Sequence, residues 1–261
     1  MASSPFDHLR YGRACLAVQA WWKRRRRRAR LAGTATAGHC AICAGERLRA
    51  VDAQNAREGI VCLDCGSVPR QRALVATLVA RGLAAARVHE SSPSLCTFVW
   101  LRHNASELTA SYYWPDRRPG ARVGAFCNVD LQAQPFDDAR FDLVVTQDVF
   151  EHVPEPRAAL REIHRTLRPG GAHVFTVPRN PHRDTVTRAE LRDGRMHHHL
   201  PPEYHRDPVD RGGALVVTDW GRDLEAAVVA AGAAECTAVV VQDATIGVFQ
   251  PVEVFVAVTP G

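Results

Sequence analysis

Lysine is almost missing from this sequence: of the 33 basic residues in 261, only Lys23 is a lysine. A GC-rich genome explains such a bias more simply than selection for phosphate contacts, which weakens a nucleic-acid-binding interpretation. Excess positive charge is also missing from most of the chain. Residues 1–30 hold nine basic groups and one acid, which leaves 24 basic and 27 acidic side chains in residues 31–261. The body of the protein therefore has no global field that would attract a polyanion.

Long apolar runs are absent as well. The longest, around residues 226–234, is flanked by Glu225 and Glu235 and falls short of the ~18 residues needed to cross a bilayer. The apolar stretch 14–22 contains Gln19 and precedes its arginines, which is the wrong order for a signal peptide. We therefore expect no transmembrane segment and a cytoplasmic location. A composition of 46% hydrophobic and 23% charged residues predicts a folded globular chain.

Residues 1–36 form a basic segment that ends in the low-complexity stretch LAGTATAG. Trp21 and Trp22 stand beside the arginine run 24–28. We interpret this segment as a solvated N-terminal arm. The alternative is a basic and aromatic patch that touches an anionic membrane surface, nucleic acid or a partner.

Two Cys-x2-Cys pairs, eighteen residues apart, lie in residues 37–68. The four cysteines are Cys40, Cys43, Cys62 and Cys65. Two such pairs complete the tetrahedral sulfur shell that zinc prefers, and they leave no ligand position open. We therefore predict a zinc ribbon whose ion holds structure rather than performs chemistry. A redox pair or buried free thiols are the alternatives, but neither requires two pairs at this spacing.

Patterns typical of strands and helices alternate after the ribbon, which predicts a parallel sheet with helices on both faces. The first helix is expected to begin at Ser67 and Pro69 and to end near Gly82. The predicted helices are PRQRALVATLVARGL, LCTFVWLRH, RAALREIHRTLR and DLEAAVVAAG, and the predicted strands are ARVHE, ELTASYYW, FDLVVTQDVFE, HVFTVP, ECTAVVVQ and VEVFVAVT.

Ligands of an open parallel sheet bind beyond the carboxyl ends of its strands, so the residues that follow each strand are candidates for a site. Three polar positions satisfy this condition. They are Glu90, Asp130 and the segment 146–153, which reads TQDVFEHV.

The segment DLQAQPFDDARFDLVVTQDVFEHVPEPRAALREIHRTLRPGGAHVFTVP closely resembles the central half of class I S-adenosylmethionine-dependent methyltransferases of the small-molecule type. The resemblance covers about fifty residues and lies in the combination of an acidic strand end, FDLVV, the EHV turn and RPGG. It implies a Rossmann-like fold with a mainly parallel, seven-stranded sheet in residues 69–261. It also implies a substrate-binding insertion at about 179–219.

The same resemblance implies how S-adenosylmethionine would be held. Asp130 would accept a hydrogen bond from the adenine amino group, and the backbone of Leu131 would line the ring. Thr146 and Gln147 would face the methionine end, and Glu90 would hold the methionine amino group. A turn or helix cap is the alternative role for Asp130.

The first loop departs from the family pattern, because the usual glycine-rich turn is replaced by Glu90-Ser-Ser-Pro-Ser-Leu. Ser91 and Ser92 would offer small side chains and hydroxyls there. The second strand ends in Tyr112 where a ribose-binding carboxylate is expected. Both departures bear on cofactor binding.

Histidines are dense in MHHHLPPEYHRDP, which lies in the predicted insertion. We expect Tyr204 and His199 to contact the substrate and His205 to act as the base, since an imidazole accepts a proton near neutral pH. Asp148 and His152 are further candidates for the base, and Glu151 competes with them. A packed surface loop is the alternative interpretation of the insertion.

These features predict an enzyme that transfers a methyl group to a hydroxyl, or less readily an amine or carboxylate, of a sugar or secondary metabolite. One alternative is an RNA methyltransferase that uses the ribbon and the arm. The charges of the ribbon are mixed and it carries no aromatic residue to stack on a base, which argues against that alternative. Another is a non-catalytic scaffold with a degenerate cofactor loop.

Overall fold

A computed structural model describes residues 33–207 and 212–261. Most of the predicted arm, residues 1–32, lies outside the described residues. The predicted boundary at residue 36 is wrong, because Thr34–Thr36 forms strand β1 of a small sheet. Its register opposite residues 48–50 ties this stretch to the segment predicted as the ribbon.

The small sheet is antiparallel and joins β1 to β2 (Leu48–Ala50) and β3 (Ile60–Cys62), in that order. Cys62 therefore ends a strand, and Cys65 lies in the turn that follows it. The first helix, α1 (Pro69–Ala80), begins directly after this sheet. Its N-cap is Val68 rather than the predicted Ser67, and the Gln71 side chain accepts a hydrogen bond from the Val68 N–H at 3.0 Å.

The strands and helices expected from the sequence are all present in residues 69–258. In chain order after α1 they are β4 (Arg87–Ser91), α2 (Leu95–Asn104), β5 (Glu107–Tyr112), β6 (Arg122–Val123), β7 (Phe126–Asn128), β8 (Phe141–Gln147), α3 (Pro156–Thr166), β9 (Leu167–Thr176), α4 (Leu224–Ala230), β16 (Glu235–Asp243) and β17 (Val248–Val258). The short strands β10 to β15 lie between β9 and α4.

The large sheet has the strand order β16-β17-β9-β8-β4-β5-β7-β6. The central strands β9, β8, β4, β5 and β7 are parallel, whereas β17, β16 and β6 pair antiparallel. The sheet has eight strands rather than seven, because the two-residue strand β6 adds a hairpin at one edge. This is the mainly parallel, Rossmann-like fold with helices on both faces that the sequence predicts.

The direction of the chain reverses at β4. From β4 it proceeds outward to β5 and β7 on one side, and it then returns to β8 on the other side of β4. A crevice opens at such a reversal beyond the carboxyl ends of the two strands. Here those ends are Glu90–Ser91 and Gln147–Asp148.

Helices cover both faces of the sheet. Successive residues of a strand point to opposite faces, and Val254 of β17 accordingly packs in one apolar cluster with Leu74 of α1. Its neighbour Phe255 packs in the other cluster with Leu160 and Ile163 of α3. Burial on both sides explains why the central strands read as continuous apolar runs.

The described residues of the predicted insertion, 179–207 and 212–219, form three two-stranded antiparallel pairs. They are β10 (Val186–Thr187) with β15 (Thr218–Asp219), β11 (Ala189–Arg192) with β12 (Arg195–His198), and β13 (Tyr204–His205) with β14 (Ala214–Leu215). None of the helices in the described ranges is long and apolar enough to span a membrane.

Candidate functional site

A buried carboxyl group stands at the mouth of the crevice. Glu90 is the second-last residue of β4, and its side chain has no solvent exposure. Its Oε1 accepts hydrogen bonds from Thr97 Oγ1 at 2.5 Å and Gln147 Nε2 at 3.3 Å. Within residues 33–207 and 212–261, its equally buried Oε2 has no hydrogen-bond partner, and neither has Oε1 of Gln147. Two orphaned acceptors thus lie at the ends of the two strands that form the crevice, where a cationic donor would satisfy them.

Burial governs the ionisation of this group. Desolvation raises the pKa of Glu90 to about 8, although the hydrogen bonds from Thr97 and Gln147 act to lower it. Glu90 therefore carries a proton at neutral pH in this structure, and a neighbouring cation would favour its ionised form.

The glycine-free first loop is closed by hydrogen bonds. Ser94, rather than Ser91 or Ser92, caps α2 by accepting from the Thr97 N–H at 3.4 Å. The Tyr112 hydroxyl donates to the Pro93 carbonyl at 2.5 Å. Tyr112 thus holds the loop from the end of β5, at the position where the sequence lacks the expected carboxylate.

Asp130 follows β7 and is half-buried. Its Oδ1 accepts from the backbone N–H and the side-chain amide of Gln132, at 2.9 and 3.0 Å. This is the turn-capping role that the sequence left as an alternative, and it leaves the adenine contact a prediction. The neighbouring Leu131 is buried in the core cluster of α3.

Thr146 and Gln147 point to opposite sides of β8. The Gln147 amide reaches Glu90 and Thr97, whereas the Thr146 hydroxyl pairs with Nε2 of His173 at 3.0 Å in the core. The expectation that both side chains face the methionine end is therefore wrong for Thr146, because alternation along the strand separates them.

Asp148 has a left-handed backbone with φ of 51° and lies within a cluster of cations. Arg57 donates to its Oδ1, Arg70 Nε lies 3.0 Å from its Oδ2, and the Thr176 hydroxyl donates to Oδ1 at 3.0 Å. Burial acts to raise the pKa of Asp148, but the guanidinium charges of Arg70 and Arg57 outweigh it and lower the pKa to about 2. So acidic a carboxyl group is a poor proton acceptor, which disfavours the predicted role of Asp148 as a base.

His205 and His152 come together around Glu151. Their rings are nearly perpendicular, at 87°, with centroids 5.0 Å apart. His205 Nδ1 lies 3.8 Å and His152 Nε2 lies 3.7 Å from Oε1 of Glu151, whose side chain is 1% exposed. The structure therefore brings together two of the three residues predicted as bases, although they lie 53 positions apart in the sequence.

The two predicted substrate contacts are on the surface of the insertion. Tyr204 precedes His205 in β13 and is 58% exposed. His199 follows β12, and its Nε2 pairs with Oε1 of Glu190 at 2.8 Å. Tyr204 thus adjoins the histidine cluster directly, whereas His199 belongs to a neighbouring hairpin.

The four cysteines of the ribbon converge. One ligand atom from each of Cys40, Cys43, Cys62 and Cys65 lies within 4.8 Å of all the others. The Sγ atoms of Cys40 and Cys65 are 3.6 Å apart, and those of Cys43 and Cys62 are 3.7 Å apart. The spacing in the sequence therefore corresponds to a cluster of four sulfur atoms.

A buried arginine joins this cluster to the large sheet. Arg72 of α1 has no solvent exposure and donates to the carbonyl oxygens of Ser67 at 2.8 Å, Ile60 at 3.1 Å and Gly247 at 2.8 Å. Ser67 in turn contacts Cys40 Sγ through its hydroxyl at 3.1 Å. The ribbon is thus anchored to the residues that precede β17.

Sequence reasoning missed Arg57, Arg70 and Thr97 at the site. In the sequence, Arg57 is one of several charged residues of the ribbon and Arg70 is a charged residue of the first helix. Neither is near Asp148 along the chain, and the fold alone brings them into contact with it. Thr97 could have been found from its position. It lies in the first turn of the helix that follows the strand with Glu90, and the first turn of such a helix faces the crevice.

A family model matches the part of the chain that contains the crevice. Residues 84–175 match a family model described as "Methyltransferase domain". This range runs from just before β4 to the end of β9, so it includes both strands of the crevice. Residues 84–175 are therefore similar to a methyltransferase domain.

Curated relatives match this domain over a short stretch. The sarcosine/dimethylglycine N-methyltransferase of Halorhodospira halochloris is 52% identical over 44 residues, which are 17% of this chain and 16% of that protein. The ubiquinone biosynthesis O-methyltransferase of Pseudomonas syringae is 44% identical over 43 residues, or 16% and 18% of the two chains. The chain thus spans less than a fifth of the length of these relatives.

Solved structures of methyltransferases superpose on most of the chain. A Mesorhizobium loti S-adenosylmethionine-dependent methyltransferase is 18% identical with a TM-score of 0.47, and covers 74% of this chain and 98% of its own. An amino pentose methyltransferase from Micromonospora echinaspora is 19% identical with a TM-score of 0.46, and the match covers 74% of this chain and 92% of that chain.

Proposed function

We propose that the protein transfers a methyl group from S-adenosylmethionine to a hydroxyl group of a small molecule, such as a sugar or a secondary metabolite. The observation that carries this proposal is the buried carboxyl group of Glu90, with an unpartnered oxygen, at the strand reversal of a methyltransferase domain. The names of the two curated relatives refer to sarcosine and dimethylglycine and to ubiquinone biosynthesis, which supports a small-molecule acceptor here. A cytoplasmic location and the division into arm, ribbon and methyltransferase domain are part of the same proposal.

The residues at the crevice fit the amino-acid end of S-adenosylmethionine. Its ammonium group would be held by the orphaned oxygens of Glu90 and Gln147, and its adenine would lie against Asp130 and Leu131. When bound, the cofactor supplies an electrophilic methyl group on a sulfonium sulfur. The loop between Glu90 and Ser94 would have to move, because the Glu90 side chain is fully buried.

The residues of the histidine cluster would meet the hydroxyl group of the acceptor. His205 is 38% exposed, so a substrate in the insertion reaches it directly. His152 is held by a hydrogen bond between its Nδ1 and the Leu215 carbonyl at 2.9 Å, which fixes its ring. Methyl transfer depends mainly on aligning the two reactants, so the closed loop and these side chains contribute by positioning and by excluding water.

We further propose that the four cysteines hold a structural zinc ion. Sulfur atoms at 2.3 Å from one tetrahedral ion lie roughly 3.8 Å apart, close to the two Sγ separations of the cluster. The anchoring arginine supports a negatively charged cluster: the acceptors of the Arg72 guanidinium are carbonyl and hydroxyl oxygens, none of them a carboxylate. A zinc ion with four thiolates carries a net charge of −2, and it would offset this buried cation.

The direct test of the function is an assay with S-adenosylmethionine labelled in its methyl group and a panel of sugars, phenols and amines. We expect label to appear in a hydroxyl-bearing acceptor and Glu90→Gln to lose most of the transfer. The exposed Glu46 provides a matched control, and Glu46→Gln should behave as the wild type. If wild-type protein binds no S-adenosylmethionine at all, the non-catalytic scaffold becomes the better interpretation.

A further inference from the structure

A buried carboxylate between two histidines remains unexplained by the proposed cofactor site. Glu151 lies in the 3-10 turn Phe150–His152 that follows β8, and its backbone is fixed by a hydrogen bond from the Val217 N–H to its carbonyl at 2.7 Å. Its side chain is 1% exposed, and neither of its buried carboxylate oxygens has a hydrogen-bond partner among the residues that the structure describes. A buried, unpartnered carboxylate is costly, so a positive charge is expected beside it.

The two histidines aim one nitrogen each at that carboxylate. His152 Nε2 and His205 Nδ1 lie 3.7 and 3.8 Å from Glu151 Oε1, which is too far for a hydrogen bond. One ligand atom from each of the three residues lies within 4.8 Å of the other two. Ligand atoms that share an ion at 2.0–2.2 Å lie roughly 3 to 3.5 Å apart, so a small contraction of this cluster would enclose one.

The outer contacts of both rings suit metal binding. The Leu215 carbonyl, 2.9 Å from His152 Nδ1, can only accept a hydrogen bond, so Nδ1 carries the proton and the lone pair of Nε2 faces Glu151. His205 has the reverse arrangement, with its Nε2 3.7 Å from Oε1 of Glu203 and its Nδ1 toward Glu151. Each ring thus presents one nitrogen to the centre and directs the other toward an oxygen.

We propose that Glu151, His152 and His205 bind a divalent first-row transition metal ion. Two imidazoles and one carboxylate suit Zn²⁺, Mn²⁺, Fe²⁺ or Co²⁺. Three protein ligands leave coordination positions open, as in metal sites that meet a substrate and unlike the closed set of four cysteines. Asp148 does not join them, because its carboxylate is held by Arg57, Arg70 and Thr176.

The position of this metal site suggests what fills the open positions. Glu151 lies in the turn that follows β8, so the ion would stand beyond the carboxyl end of a strand that forms the crevice. Resting on the proposed function, we infer that the acceptor presents a hydroxyl oxygen to the ion. Its O–H bond breaks with loss of the proton to water, the oxygen forms a bond to the methyl carbon, and the electron pair of the broken C–S bond stays on sulfur. His205 then acts as a ligand rather than as the base.

Cobalt binding to the zinc-loaded protein tests the site without any methyl-transfer assay. Co²⁺ would be titrated by calorimetry and by visible absorption, while zinc release and thiolate-to-cobalt charge transfer report any exchange at the cysteines. We expect one further equivalent to bind, and Glu151→Gln and His205→Gln each to weaken it at least tenfold. His103→Gln, on the exposed end of α2, should leave it unchanged.

Several results separate the metal site from the proposed function. Far-ultraviolet circular dichroism and retained zinc establish that each variant is folded, and His205, which is half-exposed, is the safer of the two sites to change. Failure of the wild type to bind Co²⁺ beyond the cysteine cluster would overturn the metal site, as would wild-type affinity in both variants. Binding that depends on Glu151 and His205 supports the site even if no methyl acceptor is found.

Discussion

Arg57 of the ribbon donates a hydrogen bond to Asp148 at the end of β8, across 91 positions of sequence. Arg70, at the start of α1, contacts the other oxygen of the same carboxylate. The ribbon is thus joined by charge to the edge of the crevice, beside the residues proposed to meet the substrate. Loss of the ribbon's structure is therefore expected to alter the crevice.

Replacing Asp148 with asparagine should destabilise the protein, because it removes the carboxylate that two partly buried guanidinium groups share and leaves Arg70 with Glu58 alone. We expect a loss of about 1–3 kcal/mol in the free energy of unfolding at pH 7, measured by urea denaturation. Asp137→Asn, at an exposed acid, should change stability little. Equal stability of Asp148→Asn and wild type would show that the ion pairs contribute nothing.

Low pH should remove the difference in unfolding free energy between the wild type and Asp148→Asn. The pKa of Asp148 is lowered from 3.8 to about 2, so its contribution is complete above about pH 4 and disappears as the pH falls toward 2. The gap in unfolding free energy between wild type and Asp148→Asn should shrink over that interval. A gap that stays constant from pH 7 to pH 2 would mean that the carboxyl group is not acidified by its arginines.

The proposed zinc ion should copurify at about one per chain beyond any metal at Glu151, and Cys43→Ser should lose it. We expect this variant to lose the structure of the small sheet, because the apo ribbon has few buried apolar residues of its own. Metal analysis by mass spectrometry and proteolysis at residues 37–68 would measure both effects. Cys236→Ser, in β16, should retain zinc, and a well-folded wild type without metal would contradict the assignment.

Arg72→Met should weaken the junction between ribbon and sheet. The hydrogen bonds from the guanidinium to three carbonyl oxygens would be lost, and only the Ser67 carbonyl is known to keep a donor, the Cys62 N–H at 2.9 Å. An offsetting charge near the cysteines would be removed as well. We expect a loss of about 2–4 kcal/mol in unfolding free energy, together with weaker retention of zinc against a chelator. Arg81→Met, at the exposed C-cap of α1, is the control, and equal loss in the two variants would argue against a specific junction.

Most of the fold could be predicted because its elements are long and locally consistent. In α3, Leu160 and Ile163 lie on one helical face, and Pro169 and Gly170 follow the helix, so its bounds were apparent. Strand β8 was equally apparent as an apolar run. Because that run is buried on both faces, however, its sequence carries no alternation, and the opposite directions of Thr146 and Gln147 could not be assigned.

The site could be predicted only in part, since its main contacts join distant segments. Glu90 was found because it ends a strand, and His205 because its segment is rich in histidine. The partners Arg57 and Arg70 and the orientation of Glu151 depend on how the ribbon and the insertion pack on the sheet. No periodicity or spacing encodes such contacts, and the small hairpins of the insertion are too short to leave a pattern.

The stability of the free protein should fall as the pH rises from 4.5 toward 8. The buried Glu90 keeps its proton up to about pH 8 in the folded state, whereas the unfolded chain releases it near pH 4.5. Glu90→Gln removes this one proton difference, so wild type should lose stability relative to the variant over this interval. Urea denaturation at pH 5 and pH 8 measures the effect, and parallel changes in the two proteins would contradict it.

Calorimetric titration of S-adenosylmethionine into the wild type and its Glu90→Gln variant tests the central claim most directly. We predict one site per chain for the wild type, with affinity that rises between pH 6 and 8 as Glu90 ionises against the ammonium group. The variant should bind at least about tenfold more weakly, as expected when a charged hydrogen-bond partner is removed, while Glu46→Gln binds as the wild type does. No binding by the wild type, or equal affinity in the wild type and Glu90→Gln, would contradict a cofactor site at the ends of β4 and β8.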